Sequence, residues 1–382
     1  MIYLDYNATT PIAKEVAEAM MPYILKDFGN PSSAHPMGRS AKEALEKARG
    51  QISRMLGCDS NEIIFSSGGT ESNNMVLNSV AWSLRKKGGH IITTKIEHPA
   101  IINTANFLME GGCDVTFLPV DRYGSLDPDE VKKAVRPDTI LITVMHANNE
   151  TGTIQPLTEI SSIAREHGVL FHTDAAQSVG KIETKVHDIG VDFLTIAGHK
   201  IYAPKGVGAL YIRTGVEIEP FIHGGGQEMG LRSGTENVIL NVGLGKACEL
   251  IMDNLYDDMP RLRGLRDRLH DKIRTDVPEV VLNGHPEHRL PNTLYLSFPG
   301  MIGEEILKET PELCASTGSA CHDQSVKLSH VLEAMDVKEE VGMGAIRLSL
   351  GRPTTEAELD QAAQLLIEAV RKDHGLSIHK DS

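Results

Sequence analysis

Short apolar segments alternate with amphipathic ones from residue 13 to residue 212. Seven of the segments are apolar runs that are typical of buried strands. They cover residues 62–66, 90–96, 114–120, 139–145, 170–173, 193–196 and 207–212. The amphipathic segments carry apolar residues at helical spacing and precede or separate the strands. They cover residues 13–26, 39–56, 70–86, 99–110, 128–134 and 157–166.

This alternation predicts an α/β fold with a mainly parallel seven-stranded sheet, covered by helices on both faces. Two further helices are predicted at 238–253 and 259–275, and the composition changes after them. Strands at 280–283, 293–297 and 346–350 and a last helix at 356–372 follow. We therefore expect a large domain of residues 13–255 and a smaller α+β domain of residues 1–12 and 256–382.

The composition is that of an ordinary globular enzyme, with 41% hydrophobic and 24% charged residues. The net charge of −14 argues against sequence-independent binding of nucleic acid, which needs a basic surface. No run of about 18 apolar residues indicates a membrane span. The N-terminus lacks the basic and apolar stretches of a signal peptide, so we expect a cytoplasmic protein.

The five cysteines are scattered and odd in number. They are Cys58, Cys113, Cys248, Cys314 and Cys321. Since no CxxC pair is present, we expect neither a metal site nor a disulfide framework. Cys321 lies in a Gly/Ser-rich stretch at 316–323, where a predicted loop would leave a thiol exposed and mobile. The other four are expected to be small apolar residues of the interior.

Lys200 follows the buried strand at 193–196 and lies in the segment Gly198-His199-Lys200. A lysine at the exit of a buried strand is partly desolvated, which lowers its pKa and makes it nucleophilic towards an aldehyde. Taken alone, a lysine at such a position is more often a surface residue after a strand, since lysines are mostly exposed. Its neighbours at the other strand ends change that interpretation.

Polar groups follow four other predicted strands. Residues 66–71 form a Gly-Gly-Thr turn that suits an anion at a helix N-terminus, and His98 follows the next strand. Two adjacent amides lie in residues 146–152, and Asp174 ends the strand at 170–173. In an open parallel sheet, ligands bind at this edge. An ordinary turn, a solvated histidine, an Asx turn and an N-cap are the competing explanations.

An anion cradle, an imidazole, amides, a carboxylate and an amine together suit one kind of ligand. A phosphorylated, nitrogen-containing aldehyde would use each of them. The amine would bind the aldehyde, and a buried carboxylate would find a partner in a protonated ring nitrogen.

These segments resemble the NifS/IscS-type cysteine desulfurases, a branch of the class-V aminotransferases with pyridoxal-phosphate fold-type I. The similarity covers nearly the whole chain, and its motifs occur in the same order as in the family. It rests on residues 3–11, 29–33, 67–74, 146–152, 198–200, 224–228, 232–235 and 317–321.

The resemblance implies pyridoxal 5'-phosphate as the cofactor. Lys200 would bond to its aldehyde carbon, Asp174 would pair with the ring nitrogen, and Gln177 would contact the ring oxygen. His98 would stack on the ring and assist proton transfer. The remaining cofactor ligands implied by the family are Gly69, Thr70, Asn149, His199 and Thr235. Thr235 would reach the phosphate of a neighbouring subunit, so the resemblance implies a homodimer.

Asn149 and Arg347 would bind the carboxylate of L-cysteine, for which an arginine fork is well shaped. Lys200, Cys321 and His98 would be the catalytic residues. Cys321 would take the substrate's sulfur as a persulfide, release L-alanine and pass the sulfur to an acceptor protein. The acceptor could be an iron–sulfur scaffold or a protein of a thiolation pathway.

Two positions depart from the family pattern. Ala197 stands where a phosphate-binding serine is common, and His322 follows Cys321 where many bacterial desulfurases have a small hydroxyl residue. Both features are reminiscent of selenocysteine lyases, which release selenium from L-selenocysteine, so that activity is the alternative. A transamination that does not need Cys321, and a sulfur carrier without catalysis, are the other possibilities.

Overall fold

The computed structural model describes the backbone of residues 1–317, 319–322 and 325–378, and the side chains of residues 1–317 and 327–372. Fifteen strands and twelve α-helices lie in this part of the chain. The strands are β1 (Ile2–Tyr3), β2 (Ile63–Ser66), β3 (His90–Thr94), β4 (Asp114–Leu118), β5 (Thr139–Thr143), β6 (Leu170–Asp174), β7 (Phe193–Ala197), β8 (Gly208–Ile212), β9 (Val281–Leu282), β10 (Thr293–Ser297), β11 (Leu313–Cys314), β12 (Ser316–Thr317), β13 (Ser319–His322), β14 (Ser325–Leu328) and β15 (Ala345–Ser349).

Most of the helices surround these strands. They are α1 (Lys14–Leu25), α2 (Pro36–Leu56), α3 (Gly69–Ser83), α4 (Pro99–Glu110), α5 (Pro128–Ala134), α6 (Leu157–His167), α7 (Val186–Ile189), α8 (Val238–Asp276), α9 (Gly303–Lys308), α10 (His330–Ala334), α11 (Glu339–Gly342) and α12 (Glu356–Ile378). Within the described ranges, no helix is both long and apolar enough to cross a membrane.

The central sheet has seven strands in the order β2-β8-β7-β6-β5-β3-β4. Only β8 runs antiparallel to its neighbours β2 and β7, and the other pairs are parallel. This confirms the mainly parallel seven-stranded sheet predicted from the apolar runs. The carboxyl ends of β2, β3, β5, β6 and β7 therefore meet at one edge, which is the edge where such sheets bind ligands.

Both faces of the sheet are buried, which explains why its strands are continuous apolar runs rather than alternating ones. The residues of β3, β5, β7 and β8 are buried throughout. Two separate apolar clusters cover the two faces: one contains Ile52 of α2 and Leu244 of α8, and the other contains Val76 of α3 and Ile101 of α4.

A second sheet, in the order β12-β15-β10-β9, is antiparallel. The start of the chain joins this region, because β1 pairs with β11 and Asp5 forms a bridge to Ser349 of β15. A third apolar cluster packs here, with Leu4, Leu269 and Leu366 among its members. The domain bounds 13–255 and 1–12 with 256–382 stay a prediction.

Two local predictions were wrong. The helices expected at 238–253 and 259–275 form the single helix α8, which continues through Pro260. One proline removes one backbone hydrogen bond, and buried Leu255 and Leu262 on either side of it hold the helix against the core. The loop expected at 316–323 contains β12 and β13, because pairing with β15 and β14 satisfies backbone groups in a way that composition does not reveal.

A buried ion pair joins α2 to the segment before α8. Arg49 donates from Nη1 and Nη2 to the two carboxylate oxygens of Glu228 over 2.7 and 2.8 Å. The Phe65 amide of β2 donates to the same carboxylate over 2.8 Å, and Arg49 also donates to the Ile63 carbonyl. This pair ties the edge strand β2 to two other segments of the chain.

We expect Glu228→Ala to lower the free energy of unfolding by about 3–5 kcal/mol, because it leaves the buried Arg49 guanidinium without its counter-charge. Urea unfolding followed by circular dichroism measures this change. Glu46→Ala is the matched control, since Glu46 also contacts Arg49, over 3.3 Å, but is half exposed; its effect should stay within about 1 kcal/mol. Equal effects of the two substitutions would contradict the assignment.

Candidate active site

A cavity of about 220 Å³ opens at the carboxyl edge of the central sheet. Most residues predicted for the site from the sequence line it. These residues are Gly69, Thr70, His98, Asn149, Asp174, Gln177, His199, Lys200 and Arg347. The structure thus brings together the ends of five strands of the central sheet with one residue of the second sheet.

Two predicted residues are not among those that line this cavity. Thr235 is exposed and lies in a different surface depression, together with Ser66, Ser67 and Arg232. The backbone of Cys321 belongs to β13, while its side chain lies outside the described residues.

The Lys200 amine is half-buried just after β7 and faces the start of the chain. Its Nζ donates to the carbonyl oxygens of Asn7 and Ala8 over 2.6 and 2.7 Å. Burial lowers the pKa of Lys200 to about 8, and the nearby Arg347 guanidinium adds to this effect. At pH 7 about a tenth of the amine is therefore unprotonated, far more than for an ordinary lysine, and the unprotonated form is the nucleophile.

Asp174 ends β6, and its carboxylate is buried. Oδ2 accepts from the Asn73 side-chain amide over 2.7 Å, and Oδ1 accepts from the Ala176 backbone amide over 2.9 Å. The local capping contact expected as a competing explanation is present, but it occupies only one oxygen. The Asn73 bond comes from α3 and fixes the carboxylate at the cavity wall.

His98 is the N-cap of α4, and its Nδ1 accepts from the Ala100 amide over 3.1 Å. This bond leaves the proton of a neutral ring on Nε2. The ring itself is exposed to the cavity. Desolvation by the surrounding protein lowers the pKa of His98, and Lys200 and His330 contribute, so the ring is neutral at physiological pH.

The N-terminus of α3 forms one wall of the cavity. The helix starts at Gly69, after Gly68 with a φ of 148° that favours glycine. A Cβ added at Gly69 would lie 3.4 Å from the Ala197 Cβ, so the backbone here approaches β7 closely. Unpaired amides at such a helix start attract an anion.

His199 also lines this cavity. Its Nδ1 is 3.2 Å from the Thr9 hydroxyl. Burial, with a smaller effect of Lys200, lowers the pKa of His199 to about 4, so the ring is neutral. A neutral ring can still donate one hydrogen bond to an anion.

Arg347 of β15 reaches the cavity from the second sheet. Nη1 donates to the Asn149 carbonyl over 2.9 Å, and Nη2 pairs with Asp5 over 2.8 Å. Its Nε is buried and has no hydrogen-bond partner within the described part of the chain. The guanidinium is thus fixed in orientation while retaining donor capacity for a carboxylate.

Sequence reasoning missed three polar residues around this cavity. Asn73 holds Asp174, while Asn7 and Lys181 form a hydrogen-bonded group with Gln177. Asn7 and Asn73 lie inside two of the segments that carried the family resemblance, which was the available signal. The sequence contained no such signal for Lys181, because the burial of this residue depends on contacts with residues distant in sequence.

The depressed pKa of Lys200 predicts its labelling behaviour. With a small acylating reagent, modification of Lys200 should reach half its maximum near pH 8, whereas an ordinary lysine requires about pH 10.4. Peptide mass spectrometry after competitive labelling measures this midpoint. Arg347→Met removes a positive charge that favours the neutral amine, so the midpoint should move to higher pH. An unchanged midpoint in that variant would exclude Arg347 as a cause.

The whole chain is similar to proteins of known family. The model of the aminotransferase class-V family matches residues 2–362. The cysteine desulfurase IscS of Dictyoglomus turgidum is 49% identical over 381 residues, which cover 99% of this chain and 97% of that protein. A solved structure described as a NifS-like protein has a TM-score of 0.91 and 39% identity, and covers 97% of this chain and 99% of that one.

A further solved structure, described as SspA in complex with cysteine, has a TM-score of 0.81 and 39% identity over 92% of this chain and 99% of that one. These similarities confirm the resemblance found in the sequence motifs, and the fold that it implied. The names of the relatives favour the desulfurase over the selenocysteine lyase. The chain belongs to the aminotransferase class-V family.

Proposed function

We propose that this protein is a pyridoxal-phosphate-dependent cysteine desulfurase, which converts L-cysteine to L-alanine and transfers the sulfur to an acceptor protein. The observation that carries the proposal is the amine of Lys200, held in one cavity with the buried carboxylate of Asp174 and the start of α3. The relatives named cysteine desulfurase and the neighbour described with bound cysteine support the same reaction.

The donor set of the cavity fits pyridoxal 5'-phosphate. Lys200 is an amine for the aldehyde, the Asp174 carboxylate suits a protonated ring nitrogen, and the α3 amides with Thr70 and His199 suit the phosphate. Ala197 offers no hydroxyl there, so the helix start and His199 would carry more of the phosphate binding. When bound, the cofactor supplies an electron sink for the carbanion formed at the substrate Cα.

Side chains of this protein would perform the remaining steps of the reaction. Arg347 and Asn149 hold the substrate carboxylate and so fix the Cα beside Lys200. The neutral amine of Lys200 takes the Cα proton, as a general base with a pKa of about 8 can do near neutral pH. His98 would contact the cofactor ring with an uncharged imidazole, and Asp174 would hold a proton on the ring nitrogen.

Cys321 would accept the sulfur as a persulfide. Its strand β13 pairs with β14, and the chain after β14 contacts residues that are adjacent in sequence to cavity residues. The Ser329 hydroxyl donates to Glu150 over 2.5 Å, and His330 Nε2 lies 3.0 Å from the Glu97 carbonyl oxygen. These two contacts attach the end of the hairpin next to His98 and Asn149, which supports the role of Cys321.

The partners follow from the same family. We propose a homodimer in which Thr235 reaches the neighbouring subunit's phosphate site, which suits its exposed position away from this cavity. The acceptor would be a protein such as an iron–sulfur scaffold, receiving sulfur at Cys321. A cytoplasmic location stays part of this proposal.

We expect Cys321→Ala to keep the visible absorption of the cofactor and to lose alanine release from L-cysteine at least about a hundredfold, because the sulfur acceptor is absent. Lys200→Ala should lose both. Absorption spectra and an alanine assay measure the two properties. Cys314→Ala, which changes a cysteine of β11, is the matched control and should keep both.

The same assay tests the alternatives. Normal alanine release by Cys321→Ala would refute the sulfur-transfer role, and release of a keto acid would point to transamination. A wild-type protein that binds the cofactor but acts only on L-selenocysteine would be a selenocysteine lyase. A protein that takes up no pyridoxal phosphate would refute the proposed function as a whole.

A further inference from the structure

Lys181 is a second buried lysine beside the candidate active site. It follows Gly180 in the turn after β6, and its side chain is almost inaccessible to solvent. Nζ donates to the Gln177 Oε1 over 2.6 Å and to the Asn7 Oδ1 over 3.0 Å. Neither contact is an ion pair, so the amine is held by two neutral amide oxygens.

Burial lowers the pKa of Lys181 well below that of an ordinary lysine, and the charges of Lys200 and Arg347 act in the same direction. The two amide oxygens accept from the amine without supplying a counter-charge. Behind it lies a cavity of about 20 Å³, which has room for about one water molecule. The ionisable groups on its walls are Tyr6, Lys200, Tyr202, Asp258 and Arg352.

Gln177 is held at both ends of its side-chain amide. Oε1 accepts from Lys181, and Nε2 donates to the Asn7 carbonyl over 3.0 Å. The opposite orientation would set two oxygens against each other at Asn7 and would leave the Lys181 amine without its acceptor at Gln177. The amide therefore has one favoured orientation, and the second hydrogen of Nε2 has no partner among the residues that the structure describes, while Gln177 lines the cavity.

We propose that Lys181 is a positioning residue, which fixes the Gln177 amide so that it presents an N–H donor to the ring oxygen of pyridoxal phosphate. The inference rests on the proposed function, since it concerns that cofactor. The ring oxygen carries negative charge when the ring hydroxyl is ionised. An N–H donor stabilises this form, whereas an amide oxygen in the same place would repel it.

The bond geometry also explains why a lysine can serve at this place. The amine donates to Gln177 Oε1 while the Asn7 carbonyl accepts from Nε2, and these two contacts together enforce one orientation of the amide. The lowered pKa of Lys181 reduces the positive charge that it adds next to Lys200. The two amines share Asn7 as a partner, because Lys200 donates to its carbonyl and Lys181 to its side-chain oxygen.

The first test compares wild type, Lys181→Met, Gln177→Ala and the double variant in their affinity for pyridoxamine phosphate. This ligand has no aldehyde, so its binding to the cofactor-free protein reports ring contacts without Lys200 chemistry or turnover. We expect Lys181→Met to weaken binding on the order of tenfold, as loss of a hydrogen bond to a charged group does. In the Gln177→Ala background the same substitution should change binding less than about twofold.

The second readout is the pH at which the visible absorption of bound pyridoxal phosphate changes. Weakening a donor to the ionised ring oxygen favours the protonated form, so the pKa of the bound cofactor should rise by about one unit in Lys181→Met. Lys181→Gln keeps a side-chain donor and should restore most of the shift. Lys185→Met is the matched control, because the Lys185 amine donates to the Met55 carbonyl, away from the cavity.

Three outcomes would overturn the role of Lys181. They are an unchanged pKa and affinity in Lys181→Met, an equal loss in the Gln177→Ala background, and no rescue by Lys181→Gln. If Lys181→Met does not fold, Lys181→Ala replaces it in the same cycle. Failure of the wild-type protein to bind either form of the cofactor would instead refute the proposed function, so the two failures are distinguishable.

Discussion

The candidate active site depends on keeping the Lys200 amine out of water without pairing it to a carboxylate. Two backbone carbonyls, from Asn7 and Ala8, take its hydrogen bonds, and carbonyls stabilise a charge less than an ionised partner does. The amine therefore loses its proton easily. This arrangement requires the first residues of the chain to lie at the edge of a sheet whose first strand begins only at Ile63, and β1 holds them there by pairing with β11.

The positive groups around the cavity act on one another through this low-dielectric space. Arg347 lowers the pKa of Lys200, and both groups lower that of Lys181. Asp174 and Asp5 act in the opposite direction on Lys200, but Asp174 already accepts two hydrogen bonds and Asp5 is paired with Arg347. The balance lowers the pKa of both amines beside a fixed guanidinium, which suits a substrate that has a carboxylate and must lose a proton.

The parts of this arrangement that the sequence could predict are those set by local pattern. Apolar runs identified the sheet, and polar residues after them identified Lys200, Asp174 and His98, because parallel strands end at one edge. The role of Lys181 could not be predicted, since it depends on a partner 174 residues away in the chain. The continuous helix α8 was missed for a similar reason: tertiary packing on both sides of Pro260 outweighed the local break.

Asn7 links the two sheets that contribute residues to the cavity. Its backbone amide donates to the Ser349 hydroxyl, its side-chain amide donates to the Thr293 hydroxyl, and its carbonyl accepts from Lys200 and Gln177. Ser349 and Thr293 belong to the second sheet, whereas Lys200 and Gln177 follow strands of the central sheet. A shift of one sheet against the other would break bonds at both ends of this one residue. The geometry of the amine and the position of the second sheet are therefore set by the same short segment.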